Sequence, residues 1–238
     1  MKPNSKIKIF TFLLFTLFAI CYLLLATIPA NAQISSQFLV SWQAESYVPS
    51  WYQGKIFPTK GSAIKVDFEL IESGKIIDLS QYKVRWYLND KLRINENSGL
   101  GIKSFSFITT NYPNQNAEVR IVIVNYKGQG ELNKIVDIPV VAPEAVINAP
   151  YPSKKIDYGS NYFKVYPFFF GNFDYSKFAF EWAVRGQSAK DDGASSDELK
   201  LNIDSLAPSG FEINVSAAIK NLLNEMEFAG KNIQLQVK

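Results

Sequence analysis

Cysteine and histidine are almost missing from this chain. Its 238 residues include one cysteine, Cys21, and no histidine. Without a second cysteine no intrachain disulfide can form, so the hydrophobic core alone must hold the fold. The same gap excludes Ser-His-Asp and Cys-His nucleophiles and zinc sites built from cysteine and histidine. We therefore expect no cofactor, and an enzyme would be left with carboxylate or Ser-Lys chemistry.

Net charge is also nearly absent once the first 32 residues are set aside. The whole chain holds 25 basic and 22 acidic residues. The first 32 residues contain three lysines and no acid, so the remainder has 22 residues of each sign. A neutral chain gives no support for binding to nucleic acid, whose phosphates attract a basic surface.

A basic start, an apolar run and a small-residue motif make up residues 1–32. The basic residues are Lys2, Lys6 and Lys8, the apolar run is 9–28, and the motif is Ala30-Asn31-Ala32. This order is typical of a secretory leader, in which the apolar run forms a helix. Because the lysines precede that run, the N-terminus is expected in the cytoplasm and the rest of the chain outside.

Two alternatives for the leader stay open. The apolar run is long enough to span a bilayer, so the leader is either cleaved after Ala32 or retained as an anchor. We favour cleavage, because an anchor alone would not explain Pro29 and the small-residue motif. Cys21 is either a lipidation site or an inert apolar residue. The second is favoured, because Ile20 is not small and the apolar run continues beyond the cysteine.

The remaining chain alternates apolar and polar residues in short runs separated by turn residues. The clearest cases are 64–70, 84–88, 105–107, 119–123 and 135–140. A period of two predicts half-buried strands, and their close spacing favours a sandwich over a helix-bearing fold. The fold class is therefore predicted to be all-β after an N-terminal hydrophobic leader helix.

The strand pattern occurs twice. Gly61 and Trp86 in the first half correspond to Gly159 and Trp182 in the second. The separation of about 100 residues is the size of one immunoglobulin-like sandwich. Prolines cluster between the halves, at 139, 143, 150 and 152, where they fit a stiff extended connection. We predict a leader at 1–32, one sandwich at 33–141 and a second at 142–238.

The two halves resemble bacterial immunoglobulin-like or PKD-like modules. A central tryptophan on the third strand, followed by a turn, carries the resemblance, in Trp86-Tyr-Leu-Asn89-Asp90 and again in Trp182-Ala-Val-Arg185-Gly186. The immunoglobulin cysteine pair is missing, and Val119 and Ile213 stand where a tyrosine corner is expected. The resemblance implies an exported or surface scaffold module and no particular ligand.

Two segments between strands carry further predictions. Residues 220–226 are rich in good helix formers, which predicts a short helix before the last strand. The loop 190–198 is the best candidate for a metal site, because Asp191, Asp192, Asp197 and Glu198 offer hard oxygen ligands to calcium. It lacks the spacing of a known calcium loop, and Lys190 opposes the charge, so a solvated loop is the favoured interpretation.

Aromatic residues are concentrated in two places. Trp42, Tyr47, Trp51, Tyr52 and Phe57 lie near the start of the first half, and 166–170 reads Tyr-Pro-Phe-Phe-Phe in the second. Trp51 and Tyr52 could stack on a sugar ring, although packing over the open end of the sandwich is favoured. Residues 166–170 are apolar on both faces of a strand, which favours packing between the two modules.

Three functions are weighed. The first is a non-catalytic extracytoplasmic or cell-surface scaffold or adhesion-type protein that acts through protein contacts, with an unidentified protein or surface partner. The second is a carbohydrate-binding module that uses Trp51 and Tyr52. The third is a carboxylate-dependent hydrolase using the pairs Asp67/Glu69 or Asp90/Glu96, which read as solvent-facing residues. We therefore predict no catalytic residues, no enzyme activity and no nucleic-acid partner.

Overall fold

The computed structural model describes residues 36–189 and 197–238. Within these two ranges the chain forms strands and three single-turn 3₁₀ helices, and no helix there is long and apolar enough to cross a membrane. The expected leader helix, its cleavage motif and Cys21 lie outside the described residues.

The first eight strands form one antiparallel sandwich, called module 1 below. Their bounds are β1 (Gln37–Ala44), β2 (Ala63–Glu72), β3 (Lys75–Ile76), β4 (Lys83–Leu88), β5 (Lys91–Ile94), β6 (Ser104–Ile108), β7 (Asn116–Val124) and β8 (Leu132–Pro139). One sheet has β2 at its centre, with β1 on one side and both β3 and β6 on the other. The facing sheet has the order β5-β4-β7-β8.

The next eight strands form a second sandwich, called module 2. Their bounds are β9 (Glu144–Asn148), β10 (Lys155–Ile156), β11 (Gly159–Phe168), β12 (Phe178–Val184), β13 (Gln187–Ala189), β14 (Glu198–Ile203), β15 (Glu212–Asn221) and β16 (Asn224–Val237). One sheet has the order β14-β11-β9, and the other has the order β10-β16-β15-β12-β13. Its pairs are antiparallel except that β10 runs parallel to β16.

Equivalent strands occupy equivalent places in the two modules. The tryptophan strands β4 and β12 each lie between a short edge strand and the long strand that precedes the last one. This is the strand arrangement of an immunoglobulin-like sandwich. The prediction of an all-β chain of two tandem immunoglobulin-like sandwiches is confirmed for the described residues.

Each module has its own hydrophobic core, and the predicted alternation accounts for both. In β2 the apolar residues of 64–70 are buried while Lys65 is exposed and Asp67 and Glu69 are partly so. Trp86 is fully buried in core 1, where its indole N–H donates to the carbonyl of Ile102 at 2.9 Å. Trp182 is the corresponding tryptophan of core 2. Burial of alternate residues against the facing sheet is what selects the register of each strand.

The short helix predicted at 220–226 is wrong. β15 continues to Asn221, β16 begins at Asn224, and the two strands form a hairpin with a bulge at Lys220/Asn221. Strand pairing with β12 and β16 outweighs the helix propensity of the local residues, which is a weak preference of a few tenths of a kcal/mol each.

A short connection joins the modules. β8 ends at Pro139 and β9 begins at Glu144, and the boundary expected between 141 and 142 falls inside this segment. The backbone N–H of Val141 donates to the carbonyl of Pro58 at 2.9 Å, which holds the connection against the long segment between β1 and β2. That segment leads to the contacts between the modules.

Candidate functional site

Among the described residues, an isolated bridge pairs the backbones of the two modules. Tyr47, just after β1, forms an isolated antiparallel bridge with Phe170, just after β11. The N–H of Tyr47 donates to the carbonyl of Phe170, and the N–H of Phe169 donates to the carbonyl of Tyr47, each at 2.6 Å. Paired backbone groups fix orientation as well as distance, so this bridge restrains how the modules meet.

Aromatic side chains surround the bridge and form what we call the junction. The ring pairs across the modules, with their centroid separations, are Trp51–Tyr166 (5.3 Å), Trp51–Phe168 (5.9 Å), Tyr52–Phe168 (5.3 Å), Tyr52–Phe169 (6.3 Å), Phe57–Phe169 (5.9 Å), Tyr47–Phe178 (5.2 Å) and Tyr47–Tyr175 (6.0 Å). The first six are edge-to-face pairs, the arrangement that the ring quadrupole favours, and Tyr47–Tyr175 is tilted. The segment 166–170 thus packs between the modules, as its composition indicated.

Phe169 lies in an unusual backbone conformation at the centre of the junction. Its φ is +59°, in the left-handed region, where a bulky residue is a real outlier. Such a conformation persists only where the surroundings determine it. Here the N–H of Phe169 bonds to Tyr47, and its ring packs against Tyr52 and Phe57. The junction therefore holds Phe169 in place.

Trp51 and Tyr52, the predicted stacking residues, have different surroundings. Tyr52 is half-buried, and its hydroxyl donates to the carbonyl of Lys55 at 3.2 Å. Trp51 makes edge-to-face contacts with Tyr166 and Phe168 of module 2, yet it remains 56% exposed. Trp42, from the same aromatic group, packs on core 1 beneath the ammonium of Lys55. Of the two predicted residues, Trp51 keeps the larger accessible surface, and its stacking on a ligand stays a prediction.

The predicted calcium loop is only partly described. Asp191 and Asp192 lie outside the described residues, while Asp197 and Glu198 lie at the start of β14. The Asp197 carboxylate accepts a hydrogen bond from the Tyr175 hydroxyl at 2.8 Å and lies 3.2 Å from the Lys164 ammonium. Among the described residues no group of three or more acidic side chains is placed to hold a metal ion.

Burial and the neighbouring carboxylate set the ionisation of this cluster. Burial, followed by the hydrogen bond to Asp197, raises the pKa of Tyr175 far above its ordinary value. The hydrogen bond to Glu198 raises the pKa of Lys164, whose Nζ lies 2.8 Å from that carboxylate. At neutral pH Tyr175 is therefore a protonated donor and Lys164 a cation. Neither is poised to exchange a proton near pH 7.

The acidic pairs considered for hydrolysis are engaged by basic side chains. Glu96 accepts two hydrogen bonds from Arg85, at 2.9 and 2.7 Å, and they lower the pKa of Glu96 to about 2. Glu69 lies 2.7 Å from Lys103, and Asp67 lies 3.2 Å from Lys65. A general acid in glycoside hydrolysis needs a raised pKa, and Glu96 shows the opposite shift.

A group of exposed apolar side chains, not identified from the sequence, lies at one end of module 2. It surrounds the β15–β16 hairpin, and we call it the apolar tip. Its members, with their exposed fractions, are Phe173 (60%), Leu222 (60%), Leu223 (67%), Met226 (84%) and Phe228 (67%). Scattered exposed hydrophobics are ordinary, whereas these five large ones belong to one hairpin and its neighbouring loop.

The apolar tip is held in shape by a buried carboxylate. Glu227, only 7% exposed, accepts hydrogen bonds from the N–H of Gly171 at 3.1 Å and the side-chain amide of Asn221 at 2.7 Å. Met226 and Phe228 alternate with the buried Glu227 and therefore lie on the outer face of β16. The backbone that carries the exposed side chains is thus held by the hydrogen bonds of Glu227.

One sequence signal could have pointed to the apolar tip. Turns between strands normally carry glycine, proline, asparagine, aspartate or serine. The β15–β16 turn instead places Leu222 and Leu223 between two asparagines. An apolar pair at a hairpin turn lies beyond the sheet and cannot pack in the core. The helix propensity of these residues instead predicted a helix.

Comparison with known proteins finds only distant similarity to solved structures. The chain matches no family model and no curated protein. Among solved structures, fibronectin(III)-like modules of CbhA from Clostridium thermocellum are 14% identical, with 84% of this chain and 93% of that chain covered and a TM-score of 0.30. Three N-terminal domains of the outer capsid protein Hoc of bacteriophage RB49 are 10% identical, with coverage of 84% and 59% and a TM-score of 0.40.

A third solved structure is SGBP-B from the mixed-linkage glucan utilization locus of Bacteroides ovatus, in complex with a heptasaccharide. It is 10% identical, with coverage of 82% and 47% and a TM-score of 0.23. Likeness at this level says nothing about ligands. The topology itself defines the class of this chain, a tandem immunoglobulin-like β-sandwich protein.

Proposed function

We propose that this protein is a non-catalytic scaffold or adhesion-type protein of the cell exterior that acts through protein–protein contacts. The observation that carries the proposal is the apolar tip, in which five large apolar side chains are each 60% exposed or more. Leaving such a cluster in water is unfavourable, at roughly 25 cal/mol per Å² of apolar surface. A protein partner that covers the tip would remove that cost.

The junction supports a presenting role for the modules. A backbone bridge at Tyr47 and Phe170, together with the aromatic pairs around it, restrains the two sandwiches against each other. The apolar tip belongs to the same end of module 2, because Gly171 follows Phe170 directly and bonds to Glu227. A contact surface beside a restrained junction is presented in a defined orientation, which lowers the entropy lost on binding.

The leader supports a location outside the cytoplasm. Its basic start, apolar run and small-residue motif are those of an export signal. Cleavage after Ala32 would release the modules, and retention of the apolar run would tether them to the membrane. In both cases the modules meet their partner outside the cell.

A pull-down with a matched pair of variants tests the proposal. The tagged protein is captured from its native host as wild type, as Leu223→Asp/Met226→Asp, and as Leu206→Asp. Leu206 is the control, because it is 88% exposed in another loop of module 2. We expect one partner with the wild type and with the control, and at least a tenfold loss with the double variant, whose stability should change by less than about 0.5 kcal/mol.

Equal capture of the same partner by the double variant would contradict the proposal. The same preparation settles the leader by N-terminal sequencing. Gln33 as the first residue would support cleavage, whereas Met1 with detergent-dependent solubility would support an anchor.

A further inference from the structure

A second surface feature lies beside the junction. An open cleft of about 370 Å³ is lined by residues of both modules, among them Ser50 and Trp51 of module 1 and Lys164, Tyr166, Tyr175 and Asp197 of module 2. It is a shallow site that is open to solvent rather than an enclosed cavity. The cleft is separate from the apolar tip, and none of the tip residues lines it.

Trp51 gives the cleft an aromatic wall. The indole is 56% exposed, and Tyr166 and Phe168 hold its ring by edge-to-face contacts at 5.3 and 5.9 Å. The ring is thus positioned before any ligand arrives, although much of it still faces water. The faces of an aromatic ring are electron-rich and attract weakly positive C–H groups.

Polar groups that line the same cleft lie close to one another. Lys164 lies 3.2 Å from Asp197 and 2.8 Å from Glu198, and the Tyr175 hydroxyl lies 2.8 Å from Asp197. The lysine ammonium carries three donors, and a tyrosine oxygen that donates can still accept. The cleft therefore offers donors and acceptors whose charges are already largely paired within the protein.

We infer that this cleft between the modules binds a neutral sugar ring, stacked on Trp51 and hydrogen-bonded by Lys164, Ser50 and Tyr175. A pyranose has an apolar C–H face and a rim of hydroxyls that both donate and accept. Its C–H face can stack on the indole of Trp51 while its hydroxyls form hydrogen bonds with the polar groups. The inference goes beyond the scaffold role, because it uses another surface and another class of ligand.

The same geometry favours a sugar over an aromatic or proline-rich peptide. A peptide side chain would use the indole but would desolvate Lys164 and Tyr175 without replacing their hydrogen bonds to water, which is unfavourable. An anionic ligand would meet Asp197 and Glu198, two carboxylates near one ammonium. Since Trp51 and Ser50 come from module 1 and Lys164 and Tyr175 from module 2, a bound sugar would also link the modules.

An oligosaccharide array tests the inference. The wild-type protein and the variants Trp51→Ala, Trp51→Tyr and Phe173→Ala are applied to an array of neutral and acidic bacterial, plant and animal oligosaccharides. Any hit is measured by isothermal titration. We expect binding of neutral oligosaccharides that Trp51→Ala weakens at least tenfold and that Trp51→Tyr largely restores. Phe173→Ala is the matched control, because Phe173 is 60% exposed but lies outside the cleft, and it should bind as wild type does.

Ligand linkage gives a second readout. A sugar that contacts both modules should raise the unfolding temperature of the wild type and not that of Trp51→Ala. No neutral sugar binding by the wild type, or binding unchanged in Trp51→Ala, would overturn the inference. Loss of binding in Phe173→Ala would also overturn it, because the site would then be elsewhere. Trp51-dependent binding to a proline-rich peptide array, with no sugar bound, would assign the cleft to a protein ligand.

Discussion

The hairpins before the last strand of each module occupy the same place in the sandwich but differ in chemistry. In module 1, between β7 and β8, Tyr126 is buried against Tyr82 at 5.3 Å and Lys127 forms an ion pair with Glu72. In module 2, between β15 and β16, Leu222 and Leu223 are exposed. The fold is the same in both places, so it does not require an apolar tip. Function is carried by such loops on a common scaffold.

The largest expected effect concerns the cores, in which the two modules are alike. Trp86→Ala should destabilise module 1 by about 3–5 kcal/mol, because it removes a fully buried indole and leaves a cavity. Trp182→Ala should act in the same direction on module 2. Urea denaturation followed by circular dichroism measures both changes. Trp86→Phe is the matched control and should cost less. If either substitution lowers the free energy of unfolding by less than about 1 kcal/mol, the two cores are not equivalent.

The second prediction concerns what shapes the apolar tip. Glu227→Ala should cost about 1–3 kcal/mol, because the Gly171 N–H and the Asn221 amide would lose a buried acceptor. The neighbouring Glu225 is exposed, and Glu225→Ala should change stability by less than about 0.5 kcal/mol. Thermal denaturation of both variants measures the difference. Equal effects would mean that the tip does not depend on its buried carboxylate.

The third prediction compares glycine with alanine at two neighbouring positions of the junction, Phe169 and Phe168. In the interior of a helix or strand, glycine is less stable than alanine by about 0.5–1 kcal/mol. At position 169 the order should be reversed, because φ is +59° and the left-handed conformation destabilises any residue with a Cβ atom by about 1–2 kcal/mol. Phe169→Gly should therefore be more stable than Phe169→Ala by about 1 kcal/mol in urea denaturation, although both lose the ring. Phe168→Gly and Phe168→Ala provide the control pair with the usual order.

The smallest expected effect is the part of the alkaline pH dependence of stability that Tyr175 of module 2 contributes. Burial raises the pKa of Tyr175 when the chain is folded, whereas the unfolded tyrosine titrates near 10.0. Its contribution to stability is therefore complete below pH 10 and is lost as pH rises further, because the unfolded state releases the proton first. Tyr175→Phe should flatten this alkaline loss in urea titrations at successive pH values. An unchanged slope would contradict the assignment. Tyr158→Phe, at an exposed tyrosine of the same module, is the control.

The strands could be predicted because their signal is local. Alternation in β2 and β4 places every second side chain in a core, and the sequence carries that period directly. The repeat of Trp86 and Trp182 extended the prediction to the second module. The helix prediction at 220–226 failed because strand pairing between distant residues decided the outcome, and composition alone does not contain that pairing.

The sites were harder to predict, for the same physical reason. The Tyr47–Phe170 bridge joins residues far apart in the chain, and the burial of Glu227 depends on the loop at Gly171. The aromatic composition indicated packing between the modules without naming the pairs. Composition also could not show that Trp51 keeps an exposed ring while Tyr52 is half-buried, although both belong to the junction.

Photo-crosslinking at equivalent hairpins tests the proposed contact surface most directly. A photoreactive amino acid is placed at Met226 in the apolar tip or at Gln129 in the module 1 hairpin, both of which are exposed. After irradiation of the native host, we predict that position 226 crosslinks to one specific partner protein and that position 129 does not. Equal crosslinking at both positions, or none at 226, would contradict the assignment of the apolar tip as the contact surface.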